Sequence, residues 1–346
     1  VHHARPSYRR PGRAIGAAAG LFSAALVAVG CDAPYPEALH PEQAIPADPP
    51  AFLFAEEAAI FVGHQGVFFI DARPGRVYRK GHVPGAVQLD WTTFSERGAF
   101  RPTGRLDPDV AHIAEGLGEL GLSSDDWAIV VGDPLQLWGE EGRIAWVLEF
   151  LGHAKVSVVD GGWTAWEAAA APVQKGRVKR PAATYEARVR PSVRASMKDV
   201  RAWVDEGRTW NRVIVDSRTL DEYADLPGAP SYGAPRGGHI PGAVNLPWRD
   251  LLDEDGTVLS AERLEPILIG RGVRPDAEII TYCTGGVRSA HTWYVLESLG
   301  YPAVRNYSGS WWEWSLDRRN PTRPGSGMLP PPAPPWPPEP VEPSAP

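Results

Sequence analysis

The chain has 346 residues, 43% hydrophobic and 22% charged, which describes an ordinary globular protein large enough for two domains. Four of its 35 basic residues and none of its 42 acidic ones fall in the first 30 positions, so the remainder carries −11, a surface that repels nucleic acid and anionic lipid heads. Its two cysteines are Cys31 and Cys283; with Cys31 assigned to acylation below, an intramolecular structural disulfide is excluded.

At the start, Arg5, Arg9, Arg10 and Arg13 precede AIGAAAGLFSAALVAVG, an apolar stretch too short and too small-sided for a membrane span, so residues 1–30 read as an export signal. The following LVAVGC resembles the lipobox of bacterial lipoproteins, with Ala28 where that motif usually has Leu. The resemblance implies cleavage before Cys31, acylation of its thiol and a lipid anchor holding the protein to a membrane on the periplasmic side. Residues 31–51 are proline-rich and aperiodic, a tether. Residues 52–171 run apolar strand, turn, helix, strand, helix, strand. A basic, proline-broken linker follows over 172–195. Helical signals resume at Ser196, an expected N-cap with Asp199 three residues on, and 196–320 repeat the first order of elements. From 321 to 346 twelve prolines prevent helix or sheet pairing, so this stretch reads as a disordered tail.

The two halves echo each other in order. FFIDARPGRVYRKGHVPGAVQLDW (68–91) returns as VIVDSRT (213–219) and RGGHIPGAVNLPW (236–248), WAIVVGD (127–133) as AEIITYC (277–283), and VLEFLGHAKVSVVDGGWTAWE (147–167) as VLESLGYPAVRNYSGSWWEWS (295–315). This is a duplicated domain. Val- and Ile-rich runs alternating with amphipathic helices imply an α/β fold in which each half is a mainly parallel sheet covered by helices.

EIITYC reads as a buried strand whose end faces the crevice where open α/β sheets bind ligands, which places Cys283 there. Thr284, Gly285 and Gly286 let the backbone curl, and a helix from about Val287 points its N-terminus at the sulfur. Backbone N–H groups and the helix dipole lower a thiol pKa and hold a thiolate or persulfide; Arg288 adds positive charge, and Ser289 follows on the first turn.

The ordered set of D-x-R, GH-[IV]-PGA, cysteine loop and GSW, present in tandem over roughly residues 52–320, resembles the rhodanese family of sulfurtransferases. The resemblance implies two rhodanese-like domains, the second carrying the nucleophile Cys283. It implies a loop spanning Thr284, Gly285, Gly286, Val287, Arg288 and Ser289, and roles near that loop for Asp216 and Arg218. Asp133 stands at the cysteine position of the first half, which should therefore be inactive and structural. The expected reaction takes a sulfane sulfur from thiosulfate, a small anionic donor, to a thiophilic acceptor such as cyanide or a thiol, with no cofactor and no metal. A 3-mercaptopyruvate enzyme and a persulfide carrier without turnover are the alternatives. A phosphatase is disfavoured because its loop has one more residue between Cys and Arg. Glu222 stands where relatives often carry an arginine. It is expected to repel a mercaptopyruvate carboxylate, leaving thiosulfate to sit against Arg288, away from Glu222. His82 and His239, present in both halves, read as packing residues, and Trp163, Trp166, Trp311 and Trp314 as core.

Overall fold

The computed structural model describes residues 36–97, 102–207 and 209–324. Residues 1–35, which include the expected export signal and Cys31, and all of the tail beyond Pro324 lie outside the described residues. The first half comprises β1 (Phe52–Leu53), α1 (Ala55–Ala59), β2 (Val67–Asp71), α2 (Gly75–Tyr78), β3 (Val87–Gln88), β4 (Ser95–Arg97), β5 (Pro102–Leu106), α3 (Val110–Glu119), β6 (Trp127–Val131), α4 (Glu140–Phe150), β7 (Val156–Val159) and α5 (Gly162–Ala168). In the second half follow α6 (Met197–Glu206), β8 (Arg212–Asp216), α7 (Leu220–Ala224), β9 (Val244–Asn245), α8 (Ala261–Gly270), β10 (Glu278–Tyr282), α9 (Arg288–Ser298), β11 (Val304–Asn306) and α10 (Ser310–Leu316).

Each half builds a parallel sheet, in the order β1-β7-β6-β2-β3 and β11-β10-β8-β9. The central strands VFFID and WAIVV are buried along their whole length, the pattern of a sheet covered on both faces. Phe68 and Phe69 point to opposite faces and enter two different apolar clusters, each contributing about 1.5–3 kcal/mol of burial. The cluster holding Phe68 continues without a break into Val215, Ile279 and Trp293 of the second half, so the halves share one core.

That shared core is centred on α4 and α9, which pack side by side; every residue of α4 is buried. Gly142 makes the close approach possible, since a Cβ there would lie 2.4 Å from the His291 Cα. Tyr294 of α9 reaches into the first sheet, its hydroxyl donating to the Val156 carbonyl at 3.0 Å.

The α6 start is as the sequence indicates: Ser196 Oγ accepts from Asp199 N–H, and Asp199 Oδ2 accepts from Ser196 N–H at 2.8 Å. Two features were not expected. β4 and β5 form an antiparallel pair, with β5 of the first half against α10 of the second. The start of the tail is also paired, against expectation. Arg323 and His239 exchange two backbone hydrogen bonds, at 2.9 and 3.0 Å, and the Pro321 carbonyl accepts from Trp314 Nε1. Proline blocks only its own N–H, and Arg323, between Pro321 and Pro324, keeps one to donate.

Candidate active site

β10 ends at Tyr282, and the chain turns through Cys283, Thr284, Gly285 and Gly286 before α9 begins at Arg288, one residue after the expected start, with Val287 as its N-cap. Both glycines are required there. Gly286 has φ +79° and a Cβ would meet the Ser308 carbonyl oxygen at 2.3 Å; at Gly285 a Cβ would strike the Trp312 ring at 2.4 Å. The turn is pinned from the GSWW segment: Cys283 N–H donates to Ser310 Oγ, while Trp311 and Trp312 N–H donate to the Cys283 and Thr284 carbonyls at 3.0 and 2.9 Å.

Within this turn the Cys283 sulfur accepts from Gly286 N–H at 3.1 Å and is 1% exposed. Burial alone would raise the thiol pKa. Arg288 and hydrogen bonds from Ser289 and Gly285 outweigh it, and the pKa falls below its ordinary value. Such a sulfur is a nucleophile and can hold a persulfide anion.

Arg288 is not the free cation the sequence suggested. Its two terminal nitrogens donate to the Glu222 carboxylate at 2.7 and 2.8 Å, and Thr284 Oγ1, 2.7 Å from Nη2, completes the cluster. Thr219 fixes Glu222 at this spot: it caps α7, with Glu222 as the capping-box acid on the first turn, facing the start of α9. The Arg288 pair holds the Glu222 carboxyl below its usual range despite burial. The expectation that a donor could bind Arg288 at a distance from Glu222 is therefore overturned.

Asp216 and Arg218 lie at the end of β8, beneath the loop. Arg218 donates to Asp216 Oδ1 and Oδ2 and to the Gly238 carbonyl, and its guanidinium lies 4.7 Å above the Trp311 ring. Asp71, Arg73, Gly81 and Trp163 form the same unit in the first half. Asp216 also accepts from the Tyr282 hydroxyl at 2.5 Å, which joins this brace to the cysteine strand. His82 and His239 stack on Tyr78 and Tyr223 and bond their backbone carbonyls, as packing residues do. Trp163, Trp166, Trp311 and Trp314 are buried.

A cleft of about 190 Å³ opens over Cys283, and both halves line it. Trp91, Trp138 and Glu140 come from the first half, Tyr232 and Trp312 from the second; Trp138 meets Tyr232 edge to face at 5.5 Å. None of these five was singled out in the sequence. The available signal was placement: Trp91 and Glu140 follow strand ends of the first sheet, equivalent to Trp248 and Arg288 of the second. The first half has its own crevice, about 620 Å³, where buried Asp133 accepts from Thr164 Oγ1 at 3.2 Å; burial raises the Asp133 pKa.

Residues 55–169 and 196–317 match the family model described as rhodanese-like domain. The chain is 35% identical over 244 residues to the sulfur carrier protein TtuD of Thermus thermophilus, covering 69% of this chain and 84% of that protein. It is 36% identical over 243 residues to a Mycolicibacterium smegmatis protein named "Putative thiosulfate sulfurtransferase", covering 68% and 84%. Among solved structures, the 3-mercaptopyruvate sulfotransferase SseA of Escherichia coli superposes with a TM-score of 0.66 at 29% identity, over 76% of this chain and 99% of that one.

Proposed function

The chain belongs to the rhodanese family as a tandem-domain protein related to bacterial sulfurtransferases, and on that premise we propose that it is a thiosulfate sulfurtransferase working through a persulfide on Cys283. The observation that carries this reading is the Cys283 sulfur itself, held by Gly286 N–H at the mouth of α9, with a lowered pKa, under a cleft large enough for a small donor.

The thiolate attacks the outer sulfur of thiosulfate. As the new S–S bond forms, the old one breaks, and sulfite leaves with the bonding pair. Cyanide or a thiolate then attacks the outer persulfide sulfur, takes it, and returns the Cys283 thiolate. Thiosulfate is favoured over mercaptopyruvate because Glu222 occupies Arg288, leaving that guanidinium unable to clamp a carboxylate, and because the curated relatives include thiosulfate-named proteins. Sulfite release and thiocyanate formation in steady state test this. Cys283→Ser should abolish both and Asp133→Ala should leave them largely intact; continued turnover in Cys283→Ser would end the proposal.

A second reading is favoured by the relative named as a sulfur carrier: the chain takes up one sulfur and delivers it only to a protein partner. It gives one stoichiometric burst of sulfite with small-molecule acceptors and then stops. For location, we propose export and a lipid on Cys31, supported by the basic, apolar and LVAVGC sequence pattern. Among the described residues no helix is long and apolar enough to cross a membrane.

A further inference from the structure

Among the buried arginines of the described residues, four have a carboxylate partner: Arg73 with Asp71, Arg218 with Asp216, Arg274 with Asp276 and Arg288 with Glu222. Arg143 is the exception. It lies on α4 in the first half and is 0% exposed. Its guanidinium donates to two carbonyls, Gly104 at 2.9 Å and Gly286 at 3.4 Å, lies 4.8 Å over the Trp146 ring, and leaves Nε without a hydrogen-bond partner. Burying a cation with no counter-anion is expensive, several kcal/mol as an order of magnitude, so an anion close by must offset it.

The Gly286 carbonyl shows where that anion is. Gly286 is the residue whose N–H holds the Cys283 sulfur, so Arg143 grips one end of it while the sulfur takes the other. Gly104, the second carbonyl that Arg143 holds, lies against the same turn; a Cβ there would lie 2.6 Å from the Gly285 oxygen. Arg143 and the cysteine turn thus share one buried wall formed by both halves.

We infer that Arg143 is the counter-cation of the Cys283 thiolate and persulfide, and the positioning residue that keeps Gly286 N–H aimed at the sulfur. The first half then completes the active centre, although its own cysteine position is Asp133. Two further facts agree. Burial depresses the Arg143 pKa to about 9, and Cys283 is the group that acts to raise it. Arg288 also lowers the Cys283 pKa, but it shares its charge with the Glu222 carboxylate, whereas Arg143 has no carboxylate partner.

The other charged groups around the sulfur are the Arg288–Glu222 pair on α9 and α7, the Arg218–Asp216 pair on β8 and Glu140 on α4; Tyr282, pushed well above its ordinary pKa by burial, stays protonated. Arg194 is the cation facing Arg143.

The inference rests on the persulfide reading of Cys283, and the test separates the two. In the full chain, alkylation of Cys283 by iodoacetamide is followed by peptide mass spectrometry from pH 5 to about 10, with thiosulfate turnover alongside. Arg143→Met, which replaces the lone cation by an apolar chain of similar length, should raise the apparent thiol pKa by about one unit or more and lower kcat/KM by about tenfold or more. Arg143→Lys should bring the pKa back to within a few tenths of a unit of wild type while recovering only part of the turnover, because an ammonium cannot grip two carbonyls as a fork does. A folded Arg143→Met protein with an unshifted thiol pKa overturns the inference, as does a Lys variant shifted as far as the Met one. If the Met variant does not fold, Arg143→Gln, neutral but still able to donate to a carbonyl, takes its place under the same limits. A wild type that reacts with iodoacetamide at low pH but never accepts sulfur refutes the transferase reading and leaves the Arg143 result standing.

Discussion

The Arg288 guanidinium and the Glu222 carboxylate form a two-pronged ion pair, Nη1 to Oε2 at 2.7 Å and Nη2 to Oε1 at 2.8 Å, with both side chains buried beside the cysteine turn. Removing one partner of such a pair strands the other charge, at a cost of about 3–5 kcal/mol. Glu222→Ala should therefore lower the unfolding free energy by that much, with a lower denaturation midpoint, and in the folded fraction the released Arg288 should reduce the KM for thiosulfate several-fold. Glu222→Arg sets two guanidinium groups against each other and should be less stable still. Denaturant titration checks the order; an unchanged midpoint in Glu222→Ala would contradict it.

Glu141 and His291 face each other across the α4–α9 contact at 3.5 Å. Burial keeps both neutral, raising the Glu141 pKa from 4.5 to about 8 and lowering that of His291 from 6.5 to about 4. Between pH 6.5 and 8 the folded chain keeps a proton on Glu141 that the unfolded chain has lost, so stability falls as pH rises through this window. Below 6.5 the unfolded chain binds a proton on His291 that the folded one refuses, which acts in the opposite sense. Glu141→Gln should remove a loss that runs from pH 4.5 to 8, so its advantage in Tm over wild type should widen across that whole range, the stretch from 6.5 to 8 included. A constant difference across that window would count against a protonated buried Glu141.

Gly104 has φ +75°, and a Cβ there would press on the Gly285 and Ser308 carbonyl oxygens at 2.6 and 2.9 Å. Gly104→Ala, in the first half, should lower kcat by tenfold or more through the displaced cysteine turn, with a smaller change in KM. Stopped-turnover kinetics would show it; full activity would mean the turn is held without the hairpin.

The proposed lipid on Cys31 predicts a fractionation result. Wild type expressed in a bacterial host should partition into membranes and detergent, and Cys31→Ser should be released or accumulate as precursor. Soluble wild type beginning at another residue would refute the lipid.

The doubled fold and the cysteine turn were legible because their signals are local: motifs recur in the same order, and a strand, two glycines and a helix follow one another in the chain. Contacts between residues far apart were not. Glu222 and Arg288 are 66 positions apart, and the pairing of β8 with β10 and the capping of α7 by Thr219 bring them together. Arg143 and Gly286 are 143 apart, and their meeting depends on how α4 docks against α9, set by a glycine that looked like any helix glycine. Trp91, Trp138 and Tyr232 sit on loops with no periodicity to mark them, and Trp312 on the short α10, yet they wall the cleft. The role of Glu222 was misjudged for the same reason: its charge was visible, its partner was not.

Intact mass of the purified protein before and after thiosulfate, with peptide mapping, tests the central claim most directly. The chain should gain one sulfur atom, located on Cys283, lose it on addition of cyanide, and gain none as Cys283→Ser. A wild-type mass unchanged by thiosulfate, or a sulfur found elsewhere while Cys283 stays a thiol, would contradict persulfide chemistry at this site.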